Sequence, residues 1–289
     1  MHPFNYVAAK SVDEVTKVLA KHGDRARCLA GGTDLLVQLR AGVYELDAVV
    51  DIKTLPAANV LTLNGSLRMG SAVPCHRIYE DKAIAKAFPG IVDGASIVGG
   101  IQIQSRAGMG GNLCNSSPSA DTVPGLIVHN AECVIAGPKG KRSVAAADFV
   151  TGVRRNVLKN GEFLLEVKLP KPDKGFGAAY ERFTPRNEMD IAIAGVASSI
   201  TLGANGKVKD AKIALAAVAP TPVQAKKAEE FLIGKEPTAA NIAKASELAR
   251  EAAKPISDMR GTVEQRKHLV GVLTRRTLTK ALERAKEAK

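Results

Sequence analysis

Ser105-Arg-Ala-Gly-Met-Gly-Gly-Asn-Leu-Cys-Asn-Ser-Ser-Pro-Ser-Ala-Asp121 is the stretch around which the rest of the chain is organised. Glycines at 108, 110 and 111 leave the backbone N–H groups unscreened, so the loop can approach an anion closely. Asn112, Asn115, Ser116, Ser117, Ser119 and Asp121 then supply short donors and acceptors suited to a polyhydroxylated ligand. A second loop of the same kind lies upstream, Leu29-Ala-Gly-Gly-Thr-Asp-Leu-Leu36, between an apolar strand and a helix start. That is the place where a phosphate meets the free N–H groups of a helix N-terminus. Either loop alone reads equally well as an ordinary glycine turn. The two together point to a bound dinucleotide. The fingerprint is not that of a Rossmann fold, since G-x-G-x-x-G is missing and no acidic residue follows at the required distance.

Around these loops the chain alternates short strands and helices. Residues 4–7, 25–29 and 49–52 read as strands. Ser11 with Glu14 forms a capping box for a helix ended by Gly23, and residues 34–40 begin another. This is a small β-α-β-α-β unit that presents the first loop at a strand end. From Val60 the periodicity changes. Residues 60–63 and 67–69 flank Asn64-Gly65, which predicts a type I′ hairpin turn. A helix is expected over 82–87, followed by residues 96–103 and the long glycine loop. Residues 132–136 and 141–144 flank a second hairpin candidate at Gly137-Pro-Lys-Gly140, and 163–169 reads as a strand ended by Pro170. Pro170-Lys-Pro-Asp-Lys-Gly175 has the composition of a linker. Beyond it, strands are expected over 177–183, 191–202 and 212–218, the last two joined at Asn205-Gly206. Helices follow over 222–233, 239–253 and from 262 to near the C-terminus.

The 289 residues suggest two or three domains with a real core. No apolar run approaches the ~20 residues that cross a bilayer. The start, Met-His-Pro-Phe-Asn-Tyr, has no secretory pattern, so the chain is read as cytoplasmic. Cys28, Cys75, Cys114 and Cys133 are scattered without a C-x-x-C pair, which argues against zinc, a resident iron–sulfur cluster or a disulfide framework. The five histidines lack metal spacing and no G-x-S-x-G elbow is present, so neither a metal site nor a catalytic nucleophile is assigned. The net charge of +12 raises nucleic-acid binding, but the basic residues are dispersed among glutamates with no basic stripe. A solvated surface or an acidic protein partner explains the charge better.

Ala30-Gly-Gly-Thr-Asp-Leu-Leu36 and Met109-Gly-Gly-Asn-Leu-Cys-Asn-Ser-Ser-Pro-Ser-Ala-Asp121 resemble the two FAD-binding signatures of the flavoprotein (medium) subunit of molybdenum hydroxylases. That is the family of xanthine dehydrogenase and aerobic carbon monoxide dehydrogenase. Gly161-Glu-Phe-Leu-Leu165, Arg186-Asn-Glu-Met-Asp-Ile-Ala192 and Ser257-Asp-Met-Arg-Gly261 extend the resemblance over nearly the whole chain in the family's order. It implies an α+β fold. An FAD-binding domain over 1–173, of the vanillyl-alcohol-oxidase type, has subdomains of about 1–55 and 56–173. A C-terminal domain of antiparallel strands and helices covers 174–289.

The resemblance also implies residue roles. Cys28, Leu29, Ala30, Gly31, Gly32, Thr33, Asp34 and Leu35 would contact the cofactor in the first loop. Gly108, Met109, Gly110, Gly111 and Asn112 would do so in the second. Gly108 stands where the family carries Thr or Ser, so a backbone N–H or a water must replace one hydroxyl contact. Asp121 falls on a family aspartate that accepts hydrogen bonds from ribityl or ribose hydroxyls. From its residues alone it is equally an N-cap for a helix over 122–128. Leu164 matches a position whose backbone touches the flavin, and otherwise reads as a core leucine. Arg182 matches a lysine near the flavin, where a cation raises the potential, and otherwise reads as an exposed strand arginine. The implied function is that of an FAD electron-transfer subunit. It would take electrons from two [2Fe–2S] clusters on a small iron–sulfur subunit and pass them to an external acceptor. A large subunit would hold molybdopterin cytosine dinucleotide or a related molybdenum cofactor, in a dimer of heterotrimers. The alternative is a self-contained FAD-dependent oxidoreductase of the same fold superfamily.

Overall fold

The structure is a computed structural model describing residues 1–288; residue 289, the last of the expected C-terminal domain, lies outside the described residues. The chain begins with β1 (Asn5–Ala8), α1 (Val12–His22), β2 (Ala26–Leu29), α2 (Leu35–Arg40) and β3 (Ala48–Asp51). The three strands form a parallel sheet in the order β1-β3-β2. Ser11 Oγ accepts the Glu14 N–H at 3.1 Å, capping α1 as the sequence predicts. Glu14 itself reaches the Lys10 N–H at 2.7 Å, one residue short of a full capping box. Val15 and Leu19 of α1 are buried against Val50 and Ile52, and this core also takes in Phe163 and Leu165 from later in the chain.

Next come β4 (Leu61–Asn64), β5 (Ser66–Gly70), α3 (Cys75–Tyr79), α4 (Lys82–Ala87), α5 (Pro89–Ala95), α6 (Ile101–Gln104), α7 (Met109–Asn115) and α8 (Val123–Val128). They are followed by β6 (Glu132–Gly137), β7 (Gly140–Ala145), α9 (Ala146–Phe149), β8 (Val150–Gly152), β9 (Arg155–Asn156) and β10 (Phe163–Leu169). Five of these strands form an antiparallel sheet ordered β4-β5-β10-β6-β7. The strand that comes last in the chain, β10, therefore closes its centre. Leu164, Val167 and Leu169 enter the core under α5 and α8, while Phe163 and Leu165 enter the one under α1. One strand thus seals both cores and joins the two sheets.

Two expectations are corrected here. The hairpin at Asn64-Gly65 is not type I′, because that turn needs both residues at positive φ and only Gly65 has it, at 74°. The register pairs Leu63 with Leu67 and Leu61 with Met69, a three-residue connection that keeps Leu61, Leu67 and Met69 on the core side. The glycine stretch is not one long loop either, for Met109–Asn115 is helical. Its glycines have poor intrinsic helix propensity, and the turn forms because Met109 and Leu113 are buried in the core. The predicted hairpin around Pro138-Lys139 does form, with Gly137 paired to Gly140.

The remaining chain builds β11 (Phe176–Phe183), β12 (Ala194–Leu202), β13 (Val208–Ala216), β14 (Val223–Gln224), α10 (Lys226–Leu232), α11 (Ala239–Ala252) and α12 (Val263–Glu287). The four strands are antiparallel in chain order, with Gly206 turning β12 into β13 at φ 77°. All of β12 is buried because both faces of the sheet are covered. Val196, Ile200, Ile213 and Leu215 pack against α10, α11 and α12. On the other face the small Ala178, Ala197 and Ala214 join the core of the preceding sheet. The helix α12 crosses so close to β11 that a Cβ on Gly177 would fall 2.1 Å from the Ala281 carbonyl oxygen. Asp93 of α5 ties the halves together. It accepts the Tyr180 N–H at 3.1 Å and Arg284 at 2.6 and 3.0 Å.

Candidate functional site

Between the parallel unit and the five-stranded sheet lies a cleft of about 740 Å³. Its walls come from the β2–α2 loop, the start of α7, and the chain from 151 to 164, with Ser71 beyond the end of β5. The two glycine loops, far apart in sequence, meet here. A Cβ on Gly31 would fall 1.9 Å from the Arg106 carbonyl oxygen, so the backbones touch and only glycine fits. Gly32 has φ 76°, which bends the chain from β2 into α2. Gln38 Nε2 then donates to Asn115 Oδ1 at 3.0 Å, tying α2 to α7.

The glycines of the second loop are bare for different reasons. At Gly108 a Cβ would fall 2.5 Å from the Val73 carbonyl oxygen, and at Gly110 one would fall 2.6 Å from Ser71 Cα. A Cβ on Gly111 would meet nothing within 4 Å. Gly108 and Gly110 are therefore required by the packing of the protein, whereas Gly111 opens onto the cleft. Asn112 Oδ1 accepts the Thr122 hydroxyl at 2.7 Å, and among the described residues its NH2 has no acceptor. The carbonyl of that amide is used to hold the loop, and its donor side remains for a ligand.

Cys28, Ala30, Gly31, Gly32, Thr33, Asp34 and Leu35 line the cleft, as do Gly108, Gly110, Gly111, Asn112 and Leu164. Leu29 instead packs beside Leu39 and Val49, and Met109 is buried in the main core. Asp121 and Arg182 are not among the residues that line the cleft. Asp121 is 7% exposed; its Oδ1 accepts the Tyr180 hydroxyl at 2.8 Å and its Oδ2 pairs with Arg182. Burial pushes its carboxyl up to about 6, with the Arg182 charge and the Tyr180 hydroxyl pulling it back. The N-cap reading of Asp121 fails, since Thr122 occupies that position of α8 and makes no side-chain cap. The carboxylate instead satisfies β11 across the junction. Arg182 is not an exposed strand arginine, its side chain being 8% accessible, nor is it a free cation, because Asp121 neutralises it.

Residues 151–160 contribute a wall that the sequence reading missed. Arg154 comes from the β8–β9 connection and Arg155 from β9 itself, and Lys159 and Asn160 follow it. With Arg27, whose guanidinium lies 5.1 Å over the Tyr44 ring, they give the cleft a cationic rim. The only signal available was an Arg-Arg pair in a segment without period. The thiols of Cys28 and Cys114 also line the cleft, and burial pushes both up to about 12, so they stay protonated and unreactive.

Residues 2–172 match the family described as FAD binding domain in molybdopterin dehydrogenase. Residues 178–281 match the one described as CO dehydrogenase flavoprotein C-terminal domain. The chain is 31% identical over 284 residues to the xanthine dehydrogenase FAD-binding subunit of Escherichia coli O157:H7, covering 97% of each. It is 31% identical to the carbon monoxide dehydrogenase medium chain of Afipia carboxidovorans, covering 98% of each. Among solved structures, quinoline 2-oxidoreductase from Pseudomonas putida 86 superposes with a TM-score of 0.90 at 30% identity, covering 98% of both chains.

Proposed function

Because the chain belongs to the FAD-binding subunits of the molybdopterin dehydrogenases, we propose that it holds one FAD in the cleft between its two glycine loops and relays electrons through it. The observation that carries this reading is Gly111, a glycine that no packing demand within the protein explains and that faces the cleft. The β2–α2 loop and the rim of Arg27, Arg154, Arg155 and Lys159 would take the pyrophosphate, and the free amide of Asn112 would take a hydroxyl or carbonyl. The flavin itself supplies the redox chemistry. The chain's part is to orient it, to keep water from it, and to set the charge around it.

On this reading residues 1–173 form the cofactor domain, with subdomains of about 1–55 and 56–173, and 174–289 form the second domain. The partners are a small subunit with two [2Fe–2S] clusters and a large subunit with the molybdenum cofactor, assembled as a dimer of heterotrimers. Four free cysteines suit a reducing, cytoplasmic setting. A self-contained oxidase would need a base facing the flavin. Among the described residues the cleft has no histidine, and its Glu162 is held by Arg142 at 2.7 and 2.8 Å. Its other acids and its tyrosine, Asp24, Asp34 and Tyr44, lie with Arg27 and the β2–α2 loop, at the end this reading gives to the pyrophosphate. The relay reading is therefore favoured. Purifying the chain from its host with whatever accompanies it tests both parts. The expected result is one FAD per chain and two companion subunits carrying iron, sulfur and molybdenum. FMN, or no flavin in the intact assembly, refutes the cofactor reading, and a lone flavoprotein active on its own refutes the partners.

A further inference from the structure

Ser71 follows β5 and is 4% exposed, yet its hydroxyl has no hydrogen-bond partner among the described residues. Buried hydroxyls are normally paired, and an unpaired one is costly enough to call for a reason. The other buried side-chain polar atoms left unpaired belong to His76, His129, Arg266 and Thr274, none of which lines the cleft. Ser71 does line it.

Its surroundings hold it there. The Ser71 N–H donates to the Leu165 carbonyl at 3.0 Å, fixing the residue to β10. On its other side Gly110 is packed so closely that a Cβ would fall 2.8 Å from Ser71 Cβ. The nearby wall of Ala107, Gly108, Gly110 and Leu164 carries no charge, unlike the rim formed by Arg27, Arg154 and Arg155. A hydroxyl in an uncharged wall suits an uncharged polar group rather than a phosphate. At Gly108 the Val73 carbonyl leaves no room for a side chain, so Ser71 is the hydroxyl this part of the wall can offer.

We propose that Ser71 Oγ hydrogen-bonds the riboflavin half of the bound cofactor, at the ring or the ribityl chain, and so positions it against the second glycine loop. This rests on the FAD reading. The test is Ser71→Ala in the full chain, with melting of the apo-protein and titration with FAD, riboflavin, lumiflavin and ADP. The apo variant should melt no lower than wild type, because it loses a hydroxyl that has no protein partner. Its affinity for FAD and for riboflavin should fall by the same factor, about threefold to tenfold for one hydrogen bond, with ADP unaffected. Loss toward lumiflavin as well assigns the bond to the ring, and loss toward riboflavin alone assigns it to the ribityl chain. Unchanged FAD and riboflavin affinities overturn the proposal, as does a loss that tracks a lowered melting temperature. Wild type that binds no FAD at all would sink the underlying reading instead.

Discussion

Gly111→Val separates a ligand's need for space from the protein's. Nothing beyond its chain neighbours and its own helix backbone lies within 4 Å of the position a Cβ would take there, so the apo-protein should accept the side chain. The residue sits inside α7, where valine is a slightly better helix former than glycine, so apo stability should hold or rise by a few tenths of a kcal/mol. With FAD bound, the same isopropyl group enters a filled space. Overpacking of that kind costs about 1–3 kcal/mol. At about 1.4 kcal/mol per decade this is a ~5- to 150-fold loss of affinity. Gly110→Val provides the contrast. Its Cβ would fall 2.6 Å from Ser71 Cα, so the overpacking is already present without ligand. With ~2–4 °C per kcal/mol for a chain of this size, the apo melting temperature should drop by about 2–12 °C. The assay is FAD titration by fluorescence quenching beside thermal melts of both apo variants. Wild-type affinity in a normally folded Gly111→Val protein would show that the cofactor does not pass over this residue.

Three further outcomes are expected. Asp121 titrates near 6 in the folded chain against an ordinary 3.8, so its contribution to stability is full at about pH 4 and below and is lost as pH rises to 6. The stability of wild type relative to Asp121→Asn should therefore fall across that window and level off above it in urea denaturation; parallel curves would contradict the burial argument. Arg154→Ala with Arg155→Ala should weaken FAD binding by up to ~5-fold per charge at low salt and much less at high salt, since exposed charges contribute little and are screened. A loss independent of salt would mean that the rim acts through shape. Asp93→Ala leaves the Tyr180 N–H unpaired and takes from the partly buried Arg284 its carboxylate partner, leaving it the Ala178 carbonyl, at a cost of about 1–3 kcal/mol. Faster proteolytic cutting within residues 170–175 and a lower melting temperature should follow, and an unchanged cutting rate would exclude the clamp.

Much of the architecture was legible because local signals and burial agree. Ser11 caps α1, Gly23 ends it, and the turn residues of Gly137-Pro-Lys-Gly140 fit the pairing of β6 with β7. The failures have physical causes. The Asn64-Gly65 dipeptide carries a turn signal, but tertiary packing of Leu61, Leu67 and Met69 chose the register and with it the turn type. The strand expected from 191 begins at Ala194, and the Ile191 N–H donates to Asp190 Oδ1 at 2.9 Å instead of to a sheet neighbour. Asp121 could not be placed from local sequence at all, since its partners Tyr180 and Arg182 lie some sixty positions away.

The site was legible as two motifs and illegible as a surface, and the glycines show why. In sequence Gly31, Gly32, Gly108, Gly110 and Gly111 look alike. In the structure Gly31 is bare so that the two loops can touch, Gly32 so that φ can be positive, and Gly108 and Gly110 so that the β5 end can pack beneath α7. All four would be needed even if no ligand ever bound. Only the open side of Gly111 calls for a ligand, and the unpaired hydroxyl of Ser71 calls for one independently from the same wall. A glycine motif therefore mixes folding demands with binding demands. The two separate only when each missing Cβ is asked what it would have touched.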